Sequence, residues 1–100
     1  CIITEGPFDM LTGWTYGVPT IATLGTISDY QIEQINKSCL DIIYTMFDND
    51  EAGKRFTEKL KRRIAKRIIV ETIEIPKGFK DLNDLDYNTF EKLYNNAIKN

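Results

Sequence analysis

The sequence contains no histidine. That excludes Ser-His-Asp and Cys-His catalysis within it. Acid-base chemistry falls instead to carboxylates, lysines, tyrosines or metal-bound water. Cysteine is almost as scarce, with Cys1 and Cys39 alone. Two cysteines this far apart do not make a zinc motif, and they read as free thiols of a reducing cytoplasm. No apolar run approaches membrane-spanning length, and no charged segment leads into a signal-like apolar stretch. No membrane partner is expected. Low-complexity tracts, linkers and internal repeats are also missing. The chain opens at Cys1 rather than Met and enters a strand-like run at once. Residues 1–100 therefore read as one domain cut from a longer protein.

What is present is the composition of a folded domain. Hydrophobic residues make up 42% and charged residues 28% of 100 positions, enough for one core. Four β-rich runs alternate with helical patterns. The strands read as Cys1–Thr4, Thr20–Leu24, Leu40–Phe47 and Arg67–Ile75. The last of these ends in alternating apolar and charged residues, as an edge strand does. Pro7 opens the first helix, Phe8, Leu11 and Trp14 give it an apolar face, and Gly17 ends it. Ser28 and Gln31 form a capping box for the second helix, with Ile27 and Ile32 as a hydrophobic staple. The third helix runs from Glu51 to about Ala65, with Ala52, Phe56, Leu60 and Ile64 as its buried stripe. A final helix, capped near Asp86 or Asn88, buries Phe90, Leu93, Tyr94, Ala97 and Ile98. Such alternation predicts an α/β fold, Rossmann-like, with about four mainly parallel strands and helices on both faces.

In sheets of this kind, ligands bind beyond the carboxyl ends of the strands. Carboxylates stand at three of those ends. Glu5 follows the first strand, Asp48 and Asp50 follow the third, and Asp81 lies in the loop after the fourth. Residues two apart on an extended chain point the same way, so Asp48 and Asp50 can face one point. Negative charges held that close repel unless a cation lies between them. Oxygen-only ligands favour a hard ion, Mg2+ or Mn2+. An Asp-x-Asp pair by itself reads equally well as a cap on the third helix. A calcium loop is excluded, because Ala52 and Lys59 occupy two positions where it needs oxygen ligands. A dehalogenase-type phosphatase is disfavoured by Ala52 as well. The basic residues crowd one segment, and Arg55, Lys59, Arg62 and Lys66 are spaced to line one face of the third helix. Such a stripe is either a solvated face or a phosphate contact, with Lys54 placed nearest the acidic motif.

Taken in order, Glu5-Gly-Pro-Phe-Asp9, Leu24-Gly25-Thr26, Asp48-Asn-Asp50-Glu-Ala52-Gly53 and Lys80-Asp81-Leu-Asn83-Asp84 resemble the TOPRIM domain. That domain is shared by topoisomerases, bacterial primases, and related nucleases and recombination proteins. The Glu-Gly-x-x-Asp opening and the Leu-Gly-Thr turn resemble primases, and Lys-Asp-x-Asn resembles the primase-helicases of phages and mobile elements. The resemblance implies a DNA primase that makes RNA primers from ribonucleoside triphosphates on single-stranded DNA. It implies Glu5, Asp48 and Asp50 as catalytic residues. Glu5, Asp48, Asp50 and Asp81 would be the Mg2+ or Mn2+ ligands, with Asp9 and Asp84 as further candidates beside them. Lys54, Arg55, Lys59, Arg62 and Lys66 would contact phosphates. A replicative helicase would be met through the parent protein, in the cytoplasm. The alternatives are a TOPRIM nuclease or topoisomerase that cuts phosphodiesters, or a noncatalytic nucleic-acid-binding module.

Overall fold

Ile2 and Ile3 are neighbours in sequence, yet each is fully buried in a different hydrophobic cluster. This period of two is that of a strand covered on both faces. A computed structural model describes residues 1–48 and 50–99. Its element order is β1 (Ile2–Thr4), α1 (Pro7–Thr15), β2 (Thr20–Ala22), α2 (Asp29–Lys37), β3 (Ile42–Thr45), α3 (Glu51–Arg63), β4 (Ile69–Thr72) and α4 (Tyr87–Lys99). A single 3-10 turn, Leu82–Asp84, lies between β4 and α4. The four strands form one sheet in the order β2-β1-β3-β4, and every pairing is parallel. The strands are shorter than the sequence runs, but their number and parallel direction match the α/β expectation.

One face of the sheet is covered by α2 and α3. Ile3, Ile27, Ile32, Ile35, Ile43, Phe47, Leu60 and Ile68 form its core. The other face carries α1 and α4, packed over Ile2, Tyr44, Met46, Ile73, Leu82 and Phe90. Local signals set the helix starts. Ser28 and Gln31 make the reciprocal capping box, and Asp86 Oδ1 accepts the Thr89 N–H at 2.7 Å. Such caps typically contribute about 1 kcal/mol each. The C-terminal end of α2 is closed by Arg67, whose guanidinium donates to the carbonyls of Asn36, Ser38 and Leu40.

Three helix faces differ from the sequence reading. Phe8, Leu11 and Trp14 are 70%, 54% and 57% exposed, and α1 instead buries Asp9 and Gly13. The reason is steric. A Cβ on Gly13 would lie 2.0 Å from Thr20 Oγ1, so α1 rests its glycine face directly on β2. Trp14 lies along that edge and donates its indole N–H to the Thr20 carbonyl at 3.0 Å. On α3, Ala52 is exposed and Gly53 is buried in its place. On α4, Ile98 is half exposed, while Phe90 alone is fully enclosed. Cys1 and Cys39 are free thiols.

This packing separates two leucines by their surroundings. Leu60→Ala should destabilise the fold by about 3 kcal/mol, the range for an enclosed leucine. Leu11→Ala should change stability by less than about 0.5 kcal/mol, as at an exposed site. Urea unfolding monitored by circular dichroism distinguishes them, and equal losses would contradict the orientation of α1.

Candidate metal centre

The strand order places β1 beside β3, so their carboxyl ends lie together. Backbone pairing fixes the level of each: Met46 N–H donates to the Ile3 carbonyl at 3.0 Å. The next residues out are Glu5 on one strand and Asp48 on the other. Glu5 Oε1 accepts the Asp48 N–H at 3.3 Å. The site therefore begins as a direct continuation of the sheet ladder.

Two further carboxylates arrive from the α1 side. Asp9 lies in the first turn of α1 and is only 5% exposed. Asp81 precedes the 3-10 turn and accepts the Asp84 N–H at 3.1 Å. One carboxylate oxygen each from Asp9, Asp48 and Asp81 lies within 4.8 Å of the others. Glu5 joins these three in lining a cavity of about 560 Å³, with Phe8 and Leu24 on its rim. Leu24 holds a positive φ of 60° there, followed by Gly25 at 116°.

Asp50 is placed differently. It is the N-cap of α3, and its Oδ1 accepts the Gly53 N–H at 2.8 Å. It faces a neighbouring cavity of about 190 Å³ that Asp48 also lines. Among the described residues, the three-carboxylate cluster contains Asp9 rather than Asp50. Asp84 stands outside the cluster too, exposed, with Oδ2 accepting the Lys80 N–H at 2.9 Å. Gly53 is required where α3 meets the site. A Cβ there would come within 2.2 Å of the Asp48 carbonyl oxygen.

The basic stripe divides in the same way. Lys59 donates to the Ile27 carbonyl at 2.8 Å and lies 3.7 Å from Asp29, so it ties α3 to the start of α2. Arg63 pairs with the same aspartate. Lys54 is exposed, 3.9 Å from Glu51, and lines the smaller cavity beside Asp50. Arg55, Arg62 and Lys66 are exposed.

Charge crowding is visible in proton affinity. Burial raises the pKa of Asp9 to about 6, and the charges of Asp81 and Asp48 add to the rise against the Asn83 N–H. Glu5 is raised by burial and then by Asp48. Asp48 is raised by burial, then by Asp81 and Asp50, with Lys80 opposing. Two residues beside the carboxylates, Lys80 next to Asp81 and Thr12 on α1, carry no signal of their own in the sequence pattern. The Thr12 hydroxyl donates to Asn83 Oδ1 at 2.7 Å, and no local pattern signals that contact.

An all-oxygen donor set, partly buried and mutually repelling, fits a hard divalent ion. No described salt bridge supplies a cationic side chain to Asp9, Asp48 or Asp81.

The chain matches the family model described as Toprim-like over residues 2–86. It belongs to that family. A protein of Mycoplasma genitalium known as uncharacterized protein MG010 is 36% identical over 86 residues, 83% of this chain and 39% of that protein. The primase fragment of the bacteriophage T7 primase-helicase superposes with a TM-score of 0.76 at 23% identity, over 97% of this chain and 42% of the fragment. The Aquifex aeolicus primase gives 0.76 at 22%, over 96% of this chain and 25% of that one. A small TOPRIM domain protein from Bacillus stearothermophilus gives 0.72 at 22%, over 96% of this chain and 85% of that protein. These structures share the fold. The chain spans well under half the length of the Mycoplasma relative and of both primases.

The pH dependence follows from the raised carboxylates. A folded-state pKa above the unfolded value contributes stability that is complete below the unfolded pKa, near 4. It is lost as pH rises through the folded value, about 6 for Asp9. The metal-free chain should therefore be more stable at pH 5 than at pH 7.5, by on the order of 1 kcal/mol from Asp9. That corresponds to a melting temperature higher by roughly 5 °C. Asp9→Asn keeps an oxygen for the Asn83 N–H, so it should flatten this slope in thermal melts. A melting temperature that rises from pH 5 to 7.5 in the unmodified chain would contradict the assignment.

Proposed function

We propose that this chain is the divalent-cation-binding domain of a DNA primase, and that residues 1–100 are part of a longer protein. The observation that carries this reading is the meeting of Asp9, Asp48 and Asp81 within 4.8 Å at the strand ends of a Toprim-like chain. Asp48, Asp81 and Asp9 would hold Mg2+ or Mn2+, while Asp50 caps α3 and faces the neighbouring cavity. When bound, the ion supplies positive charge for phosphate oxygens and for the attacking hydroxyl.

The chain's own residues do the rest. Glu5 is adjacent to Asp48 and has a raised proton affinity. It would take the proton of a 3'-hydroxyl as that oxygen attacks the α-phosphate of a ribonucleoside triphosphate and pyrophosphate leaves. Asp9 and Asp48, raised by burial and charge, favour the metal-bound form over the bare dianionic one. Arg55, Arg62 and Lys66, with Lys54 nearest the acids, would track the phosphates of the single-stranded DNA template. Lys59 is held by Ile27 and Asp29 and takes a structural part instead. A replicative helicase would be engaged through the parent protein, in the cytoplasm. The T7 primase-helicase shares this fold, which supports that direction.

A second reading is a TOPRIM nuclease or topoisomerase cutting phosphodiesters with the same carboxylates, or a noncatalytic nucleic-acid-binding module. The Bacillus protein is a small TOPRIM domain protein 85% covered by this chain, which supports a fold of this size forming most of a protein by itself.

Asp48→Ala should weaken Mn2+ binding by the 100-residue chain at least about tenfold, as loss of one charged ligand does. Calorimetry gives the number. In the parent protein the same change should stop primer synthesis while circular dichroism stays unchanged. Undiminished Mn2+ affinity would remove Asp48 from the site. Metal-dependent cleavage of DNA without primer synthesis would select the second reading.

A further inference from the structure

Asn83 stands beside the carboxylates with two of its polar groups already engaged. Its backbone N–H donates to Asp9 Oδ1 at 2.9 Å. Its side-chain Oδ1 accepts the Thr12 hydroxyl at 2.7 Å. Both partners belong to α1, one turn apart. Tyr16, a further turn along, donates its hydroxyl to the Leu85 carbonyl at 2.7 Å. Positions 9, 12 and 16 thus clamp the 3-10 turn to one side of the helix. The clamp orients the Asn83 amide as well as the loop. With Oδ1 bound to Thr12, the amide presents its Nδ2 donors, which no described residue accepts.

The lining of the larger cavity decides what those donors meet. Its side chains are the carboxylates of Glu5, Asp9, Asp48 and Asp81, the apolar Pro7, Phe8 and Leu24, and Asn83. Of the described residues there, Asn83 is the sole side chain with an N–H donor. Carboxylates cannot donate to the oxygens of an anionic ligand. A phosphate drawn in by a cation therefore has one side-chain hydrogen-bond donor within the cavity.

The geometry points to Asn83 as a substrate contact: its Nδ2 donates to a phosphate oxygen of a nucleoside triphosphate, and Thr12 positions it. This rests on the cation-site reading and deepens it. It assigns Asn83 to the phosphate rather than to the metal, because Oδ1 is already turned to the Thr12 hydroxyl and only its second lone pair is left for an ion. Asp84 does not compete for the role, since its carboxylate closes the turn onto the Lys80 N–H.

The test separates metal from nucleotide. Calorimetry on the 100-residue chain measures Mn2+ alone, then ATP in saturating Mn2+. Asn83→Ala should leave Mn2+ affinity within about twofold and lower ATP affinity about tenfold, the usual loss for a hydrogen bond to a charged group. Asn83→Asp should also lower ATP affinity, because it replaces a donor with a negative charge. Thr12→Val should lower ATP affinity about threefold at unchanged Mn2+ affinity, and Thr12→Ser should restore it. Full ATP affinity in Asn83→Ala would overturn the assignment. So would a tenfold loss of Mn2+ affinity in Asn83→Ala that Asn83→Asp reverses, which would make Asn83 a metal ligand. Failure of Thr12→Ser to restore ATP affinity would remove the positioning role. A wild-type chain that binds no Mn2+ would overturn the cation site and this inference together. One that binds Mn2+ but shows no Asn83 effect on ATP would overturn the inference alone.

Discussion

The parallel pairing of β1 with β3 is the constraint on which the site depends. Ile2 is in register with Tyr44 and Ile3 with Thr45, so both strands leave the sheet at one level. The chain must depart in opposite lateral directions after them, because β2 and β4 lie on opposite edges. A crevice opens where those directions diverge. Glu5 and Asp48 are the residues that reach it from the two strands. Sliding β3 by one residue would turn every side chain on it to the other face. Tyr44 and Met46 would then leave one core and Ile43 the other, so hydrophobic packing fixes the position of the carboxylates.

Bringing four carboxylates together opposes folding, and the surroundings offset the cost. α1 begins at Pro7 and α3 at Glu51, and both present their N-terminal ends to the acidic edge. Helix N-termini favour negative charge. Gly53 allows α3 to approach the Asp48 carbonyl closely, and Gly13 does the same for α1 on β2. These two close approaches are backbone features, set by the absence of a side chain. Raised proton affinity at Glu5, Asp9 and Asp48 relieves the remaining repulsion when no cation is present.

Much of this was readable from local pattern. Period-two alternation marks the strands, and Ser28 with Gln31 marks the start of α2 through contacts only three residues apart. Strand ends are local features too, so Glu5, Asp48 and Asp81 stand where the alternation puts them. The orientation of α1 was not readable. Phe8, Leu11 and Trp14 look like a buried stripe, but the fit of Gly13 against Thr20 turns them outward and Asp9 inward. Asp9 thereby moves from the margin of the expected site to its most enclosed member. Asp50 shows the limit of the Asp-x-Asp pattern: the spacing serves a helix cap as well as a ligand, and capping takes one oxygen. Lys59 looked like part of a basic stripe because sequence spacing does not reveal the Ile27 carbonyl above it. For Lys59 a contact distant in sequence decided between two locally equivalent readings, whereas the cap that engages Asp50 is itself local.

A divalent ion held by Asp9, Asp48 and Asp81 would be gathered by elements far apart in sequence. Paramagnetic broadening of the backbone amide resonances by substoichiometric Mn2+ tests it most directly. Signals around Glu5, Asp9, Asp48 and Asp81 should disappear together, while those of α2 and the C-terminal half of α4 stay sharp. Broadening spread evenly over the acidic surface, or centred on Glu71 and Glu74 of the β4 edge, would contradict it.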